Sequence, residues 1–420
     1  MTARLVDMLA PHQKLRIIVG GLVGQYPLGG VAWDYFHYVL ALDELGHDVY
    51  YDENTNTWPY DPIKEEFTED CSFNVQFIGD FFRRYAPSLA EKWHYRLLIK
   101  DSFGMTKEQF DEVARTADVY LNVSGACLIP DKLNSRCIKV FMDTDPGYAQ
   151  IGLQTFIDQE GPNARRYLEV KAHDRFFTYA ENIWSADCKL PRVGLRWQTT
   201  RPTVTLTHWA DARRQVPKDD AMTTIMTLSF TKEMKAYTHN GVNYYDKRAE
   251  FEKFLDLPRH TRVPLRLAIG SSESMEPLTS LGWQVIPSYD ISKTPELYRR
   301  FIAQSAGEWS IAKNFYVATI SGWFSCRTAC YLAAGRPAVV QDTGWSHYVP
   351  SGRGVFAFST MDEAVDALWQ VHSDPAVHRP AAYEIAREYL APDKVCTPML
   401  EAIFSGPSPT IAAGGRNTAA

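Results

Sequence analysis

The chain has no CxxC pair, no apolar run approaching membrane-spanning length and no excess of basic residues. Each absence excludes something. Its seven cysteines are an odd number. Cys326 and Cys330 stand four apart on a predicted helix, but no His or Asp completes a metal set around them. They are expected to be small core residues, and reduced thiols fit a cytoplasmic protein. Met1 to Lys14 lacks the apolar core of a signal segment, so a cytoplasmic location is expected. Lys and Arg number 44 against 50 Asp and Glu, a net charge of −6, with a pI near 6.0. That excludes a broad nucleic-acid-binding surface and leaves room for a local phosphate site.

What is present is a repeated α/β pattern. A chain of 420 residues is long for one core, so two domains are expected. Leu15-Arg-Ile-Ile-Val19 reads as a buried parallel strand. A glycine loop, Gly20 to Gly30, leads into a helix from about Val31 to Leu45. Apolar residues there form two stripes, so the helix is buried on two sides or borders a cleft. Gly46 stops it, and His47 to Tyr51 is the next strand. A helix near 107–116 and strands at 119–123, 137–142 and 175–179 continue the series. The pattern breaks between Arg196 and Ala221. A second series then begins with strands at 223–229, 265–269 and 283–287 and a helix over 246–255. Later come a strand at 354–358 and helices at 361–371 and 381–389. The expected division is an extension over 1–14, a first domain over 15–205, a second over 206–404 and a disordered tail over 405–420.

The most informative stretch lies in the second series. Ser321-Gly322-Trp323-Phe324-Ser325 enters a helix that carries Arg327 and stops at Gly335. A short apolar strand follows and ends in Asp342-Thr343-Gly344. Amides at such a helix start suit an anion. Ser325 is the expected N-cap. Lys313 and Arg327 flank the turn and would face the same anion. A packed strand–turn–helix with an ordinary cap explains the same residues without a ligand, and Asp342-Thr343-Gly344 also reads as a plain turn.

Glu308, Ala312-Lys313, Ser321 to Ser325, Tyr331-Leu-Ala-Ala-Gly-Arg-Pro337 and Gln341 to Gly344 together resemble the second domain of bacterial GT-B glycosyltransferases. Gly29-Gly30-Val31 and Leu45-Gly-His-Asp-Val-Tyr-Tyr51 match the opening of the first domain. The resemblance spans about residues 15 to 395. It implies an α/β GT-B fold, in which two Rossmann-like parallel-sheet domains face each other across a cleft. It implies a metal-independent glycosyltransferase with no cofactor, taking a nucleoside diphosphate sugar as co-substrate and a small-molecule or glycan acceptor. Donor contacts would fall on Gly29, Gly30, Lys313, Ser321, Gly322, Trp323, Phe324, Ser325, Arg327, Asp342, Thr343 and Gly344. Many retaining members carry a Glu-x7-Glu pair in this turn and helix. Here Gly322 and Cys330 occupy those two positions.

Inverting transfer needs a base within reach of the acceptor. Asp143, at the end of a central strand, is the first candidate, Asp34 and His37 on the first helix are the next, and Glu181, after another strand, is the fourth. Asp145 precedes Pro146 and reads as a helix cap. The glycine loop followed by Asp52 and Glu53 also mimics a dinucleotide fingerprint, but Tyr26-Pro-Leu lengthens it beyond G-x-G-x-x-G. A sugar-nucleotide 2-epimerase and a non-catalytic sugar-nucleotide-binding protein share the expected architecture.

Overall fold

The computed structural model describes residues 14–98, 100–228, 237–270 and 275–405. The expected tail beyond Ser405, almost all of the expected N-terminal extension and the end of the strand at 223–229 lie outside the described residues.

Two sheets organise the chain. In spatial order the first comprises Trp197–Thr199, Arg175–Thr178, Ile138–Asp143, Val119–Val123, Arg16–Gly20, Asp48–Glu53, Trp93–Leu97 and Asp101–Gly104. All its neighbours run parallel except the last pair. The second comprises Gln284–Pro287, Leu265–Ile269, Met222–Met226, Gly307–Ser310, Ala338–Gln341 and Val355–Phe358, all parallel. Parallel strands covered on both faces read as continuous apolar runs, which is why most were visible in the sequence. Each sheet reverses its strand order beside its first strand, and ligand crevices form at such a switch, outside the carboxyl ends of the strands.

The helix Gly29–Glu44 is buried on two sides, as its two stripes require. One side faces its own sheet. The other meets the helix Pro295–Gln304 of the second series. Trp33, fully buried, donates its indole N–H to Pro295 O at 2.8 Å. Gly29 and Gly30 allow this approach: a Cβ on Gly29 would stand 2.4 Å from Thr294 O, and one on Gly30 3.0 Å from the Tyr298 ring.

The chain crosses between the two bodies twice. The first crossing follows Thr199. The second follows the helix Pro375–Ile385 and its π-helical continuation Ala386–Leu390. The two are tied together, because Val204 N and the Thr203 hydroxyl both donate to Leu390 O, at 2.9 and 3.2 Å. The closing helix Pro392–Ser405 then packs on the first body, where Arg175 Nε reaches Ile403 O at 3.0 Å. Among the described residues no helix is long and apolar enough to cross a membrane.

Candidate active site at the seam between the sheets

The carboxyl ends of the two sheets face each other. From the first come Thr144 and Asp145, after Ile138–Asp143, and Asn182, after Arg175–Thr178. From the second come Lys313, after Gly307–Ser310, the turn 319–325, and Asp342 to Gly344. Lys313 Nζ and the Tyr316 hydroxyl both donate to the Asp145 carboxylate. Trp323 stacks on Tyr316 with ring centroids 4.2 Å apart and donates to Thr144 O at 3.1 Å. Asn182 N reaches Ser321 O at 3.0 Å and its side-chain amide reaches Ile320 O at 3.1 Å.

Three cations converge on the second sheet's side of this seam. Arg327 is held by Glu308 Oε1 at 2.6 Å, by Ile225 O at 2.7 Å and by the Ser310 hydroxyl. Burial opposes its charge, but the Glu308 carboxylate outweighs that and raises its pKa. Lys313 is the second cation. Lys247, just before the short helix Arg248–Phe251, is the third. Burial pushes the Lys247 ammonium down to about 7, and the charges of Arg327 and Lys313 push the same way. The Glu308 carboxylate pulls the other way without outweighing them. A half-buried lysine between two other cations is an arrangement that an anion would relieve.

On the first body's side Asp34 lies beside Cys326 and near Asp145. Its Oδ1 is buried without a partner. Burial raises its pKa to about 6, the nearby Asp145 charge adds to that, and a hydrogen bond from Cys326 opposes it. Glu308 Oε2 is likewise buried and unpaired.

No protein-family model and no curated protein matches the sequence. Solved structures do match. An α-glucosyltransferase in complex with UDP and a 13-mer DNA aligns with TM-score 0.57 at 10% identity, over 93% of this chain and 99% of that one. AviGT4, a glycosyltransferase involved in avilamycin A biosynthesis, aligns with TM-score 0.50 at 13% identity, over 93% of this chain and 98% of that one. The fold is GT-B.

Within the GT-B frame the residues singled out from the sequence separate into two sets. Asp34, Lys313, Trp323 and Arg327 lie together at the seam. Asp143 does not open onto it. It is 2% exposed. Its Oδ2 accepts from Thr178 Oγ1 and Gln150 Nε2, each at 2.6 Å, and its Oδ1 from Asp145 N at 3.1 Å. Burial pushes it up to about 6, but it anchors a closed network and offers no oxygen to an acceptor. His37 is also corrected. Its Nδ1 accepts from Thr205 N at 3.2 Å, Trp209 Nε1 lies 3.3 Å from its Nε2, and burial lowers its pKa to about 3. It is a core histidine that stays neutral.

Two of the turn amides are spent as well. Gly322 N donates to Thr343 O at 2.7 Å and Trp323 N to Ser321 Oγ at 3.2 Å. Gly322 and Gly344 have φ of +81° and +92°, and a Cβ on either would strike Asn182. Their role is close docking of the turn. Asp342 caps its own turn through Gly344 N at 2.8 Å and Ser346 Oγ at 2.7 Å. Thr343 donates to Trp323 O at 2.6 Å, Phe324 packs edge-on against Trp345, and Ser325 precedes the helix Cys326–Ala333 without a side-chain cap bond. Gly29 and Gly30 serve helix packing, as described above.

The dinucleotide reading of the first loop fails on geometry. Glu53 accepts from Gly24 N at 2.7 Å, Gln25 N at 2.5 Å and the Tyr51 hydroxyl at 2.6 Å. Asp52 is paired with His94 at 2.8 Å. Both carboxylates are fully buried, away from a ribose. Sequence reasoning missed Lys247 and Asn182. Lys247 sits in a polar Asp-Lys-Arg triplet that any exposed helix start would show. Asn182 was visible only as the residue two places beyond the turn that ends a short strand.

Proposed function

We propose that this GT-B chain transfers a glycosyl group from a nucleoside diphosphate sugar to a hydroxyl acceptor, without a metal. The observation that carries the proposal is the convergence of Lys247, Lys313 and Arg327 at the second sheet's switch point. Cationic side chains aimed at a leaving diphosphate neutralise the charge that develops as the glycosidic bond breaks. Asp34, with an unpaired oxygen and a raised pKa, has the properties of a base that takes the acceptor's proton. A carboxylate poised near 6 is mostly ionised at neutral pH and still basic enough to accept that proton.

UDP is the first nucleotide to test, because the α-glucosyltransferase that aligns with TM-score 0.57 is in complex with it. Thermal-shift titration with UDP, GDP, TDP and ADP reports which one stabilises the folded chain. Incubation of the matching nucleotide sugars with sugar and small-molecule acceptors then reads the reaction. Acceptor-dependent release of nucleoside diphosphate, persisting in EDTA, is the expected outcome. Conversion to an epimeric nucleotide sugar without release points to a 2-epimerase. Binding alone points to a non-catalytic protein. Loss of turnover in EDTA with recovery on Mg²⁺ or Mn²⁺ overturns the metal-independent form of the proposal.

A further inference from the structure

We propose that the cavity beside the two chain crossings is a second ligand site, which takes a neutral polyol the size of a monosaccharide. The cavity is about 360 Å³ in volume. It lies between the edge strand Trp197–Thr199, with the first crossing that follows it, and the closing helix Pro392–Ser405.

Its polar centre is the pair Glu181–Arg201. Glu181 is 9% exposed, and its Oε1 accepts from Arg201 at 2.5 Å. Its Oε2 is buried with no partner. A buried carboxylate oxygen left without a donor is costly, and an occupant that supplies an O–H removes that cost. Burial, opposed by Arg201, pushes Glu181 up to about 7, in keeping with a missing donor.

Charge and shape narrow the occupant. Glu181 and Arg201 offset each other. At the rim, Lys394 pairs with Asp393 at 3.1 Å and Glu388 with Arg387 at 2.9 Å. No single sign dominates, so neither a phosphate nor a polyamine is selected. Polar Thr199 and Thr200 stand against the apolar surfaces of Tyr389 and Met399. A sugar ring offers hydroxyl donors and acceptors on its edge and C–H groups on its faces, which matches such a lining. Tyr389 and Glu388 belong to the π-helical segment whose Leu390 carbonyl ties the two crossings. An occupant there braces one crossing against the other.

Met399 supplies the probe. ¹³C-methyl-methionine protein is titrated with D-glucose and D-galactose, and separately with inorganic phosphate and putrescine. The Met399 signal is assigned through Met399→Leu. The expected result is a saturable shift of the Met399 methyl with a sugar and none with phosphate or putrescine. Glu181→Gln should weaken the sugar titration about tenfold, the scale of one hydrogen bond to a charged group. Ala402→Trp, which fills the cavity from the closing helix, should abolish it. If that variant misfolds by circular dichroism, Pro398→Trp on the rim replaces it. The proposal is overturned if no sugar gives a saturable shift, if phosphate or putrescine gives the larger one, or if the shift survives in a folded blocking variant. No arm of the test depends on glycosyl transfer, so its failure leaves the proposed function standing.

Discussion

Asp34 and Asp143 have pKa values raised to about the same point by the same cause, burial, but only Asp34 keeps an oxygen without a partner. The difference decides what each replacement does. Asp34→Asn should lower turnover by about 10²–10⁴-fold with nucleotide binding retained, measured as acceptor-dependent diphosphate release. In the wild type that rate should rise with pH up to about 6 and then level off, as the carboxylate loses its proton. Asp143→Asn should act mainly on stability, because it disturbs three hydrogen bonds in a closed network. If Asp143→Asn folds normally and loses turnover while Asp34→Asn keeps it, the base assignment is wrong. His37 gives a second pH prediction. Its folded pKa, about 3, lies below the ordinary value of 6.5. Between those values the unfolded chain binds a proton that the folded chain refuses. Stability therefore rises with pH across that window, by up to about 1.4 kcal/mol per pH unit for this one group. His37→Gln should flatten the pH dependence of the urea midpoint between pH 4 and 6.5 relative to wild type, whatever its effect on the midpoint at pH 7.5.

At the scale of elements, the glycines at the head of the first helix set how closely the two bodies pack. A methyl on Gly29 would stand 2.4 Å from Thr294 O, and backbone cannot move aside as a flexible side chain can. Gly29→Ala should cost about 1–3 kcal/mol in urea unfolding, and Gly46→Ala would not test this contact, since nothing lies within 4 Å of it. The sequence made Gly29 and Gly30 conspicuous without showing that they pack a helix, because a glycine that admits a ligand and a glycine that admits a helix look alike in one dimension. The same ambiguity covers Gly322 and Gly344. Strands and their order of appearance were legible where burial on both faces wrote continuous apolar runs, as at Leu265–Ile269 and Val119–Val123. The helix Lys107–Thr116 was legible from its pattern, and its Thr106–Gln109 capping box fixes its start. The strand at 101–104 was not legible because it is a partly exposed sheet edge, and that at 93–97 because His94 and Arg96 interrupt its apolar run although it is mostly buried. Lys247 escaped for a related reason. Its importance comes from Lys313 and Arg327, which lie more than sixty residues away and reach it only through the sheet's switch.

Across the whole molecule, the ion pair between Lys313 and Asp145 joins the two bodies. Lys313 belongs to the second body and Asp145 to the first, so the pair closes the seam while occupying a cation that the proposed function assigns to the diphosphate. Lys247 feels the Glu308 carboxylate only through space, and Arg327 is fixed by Glu308 at 2.6 Å. The three cations should therefore respond differently to replacement. Lys247→Ala should weaken UDP binding by about 1–3 kcal/mol, the full value of a charge-assisted contact to phosphate. Lys313→Ala should cost less, because the wild-type lysine must first leave Asp145. Asp145→Asn removes the competitor and leaves the cation in place, so UDP should bind more tightly, by about 0.5–1 kcal/mol for a pair this exposed. Isothermal titration of the three variants checks the order. The gain in Asp145→Asn should also shrink as salt rises, since screening weakens the wild-type pair it replaces. Tighter binding in Asp145→Asn together with unchanged binding in Lys247→Ala would place the diphosphate on Lys313 alone. Weaker binding in Asp145→Asn would mean that Asp145 holds Lys313 in position for the ligand, and the pair would then be part of the site instead of its latch.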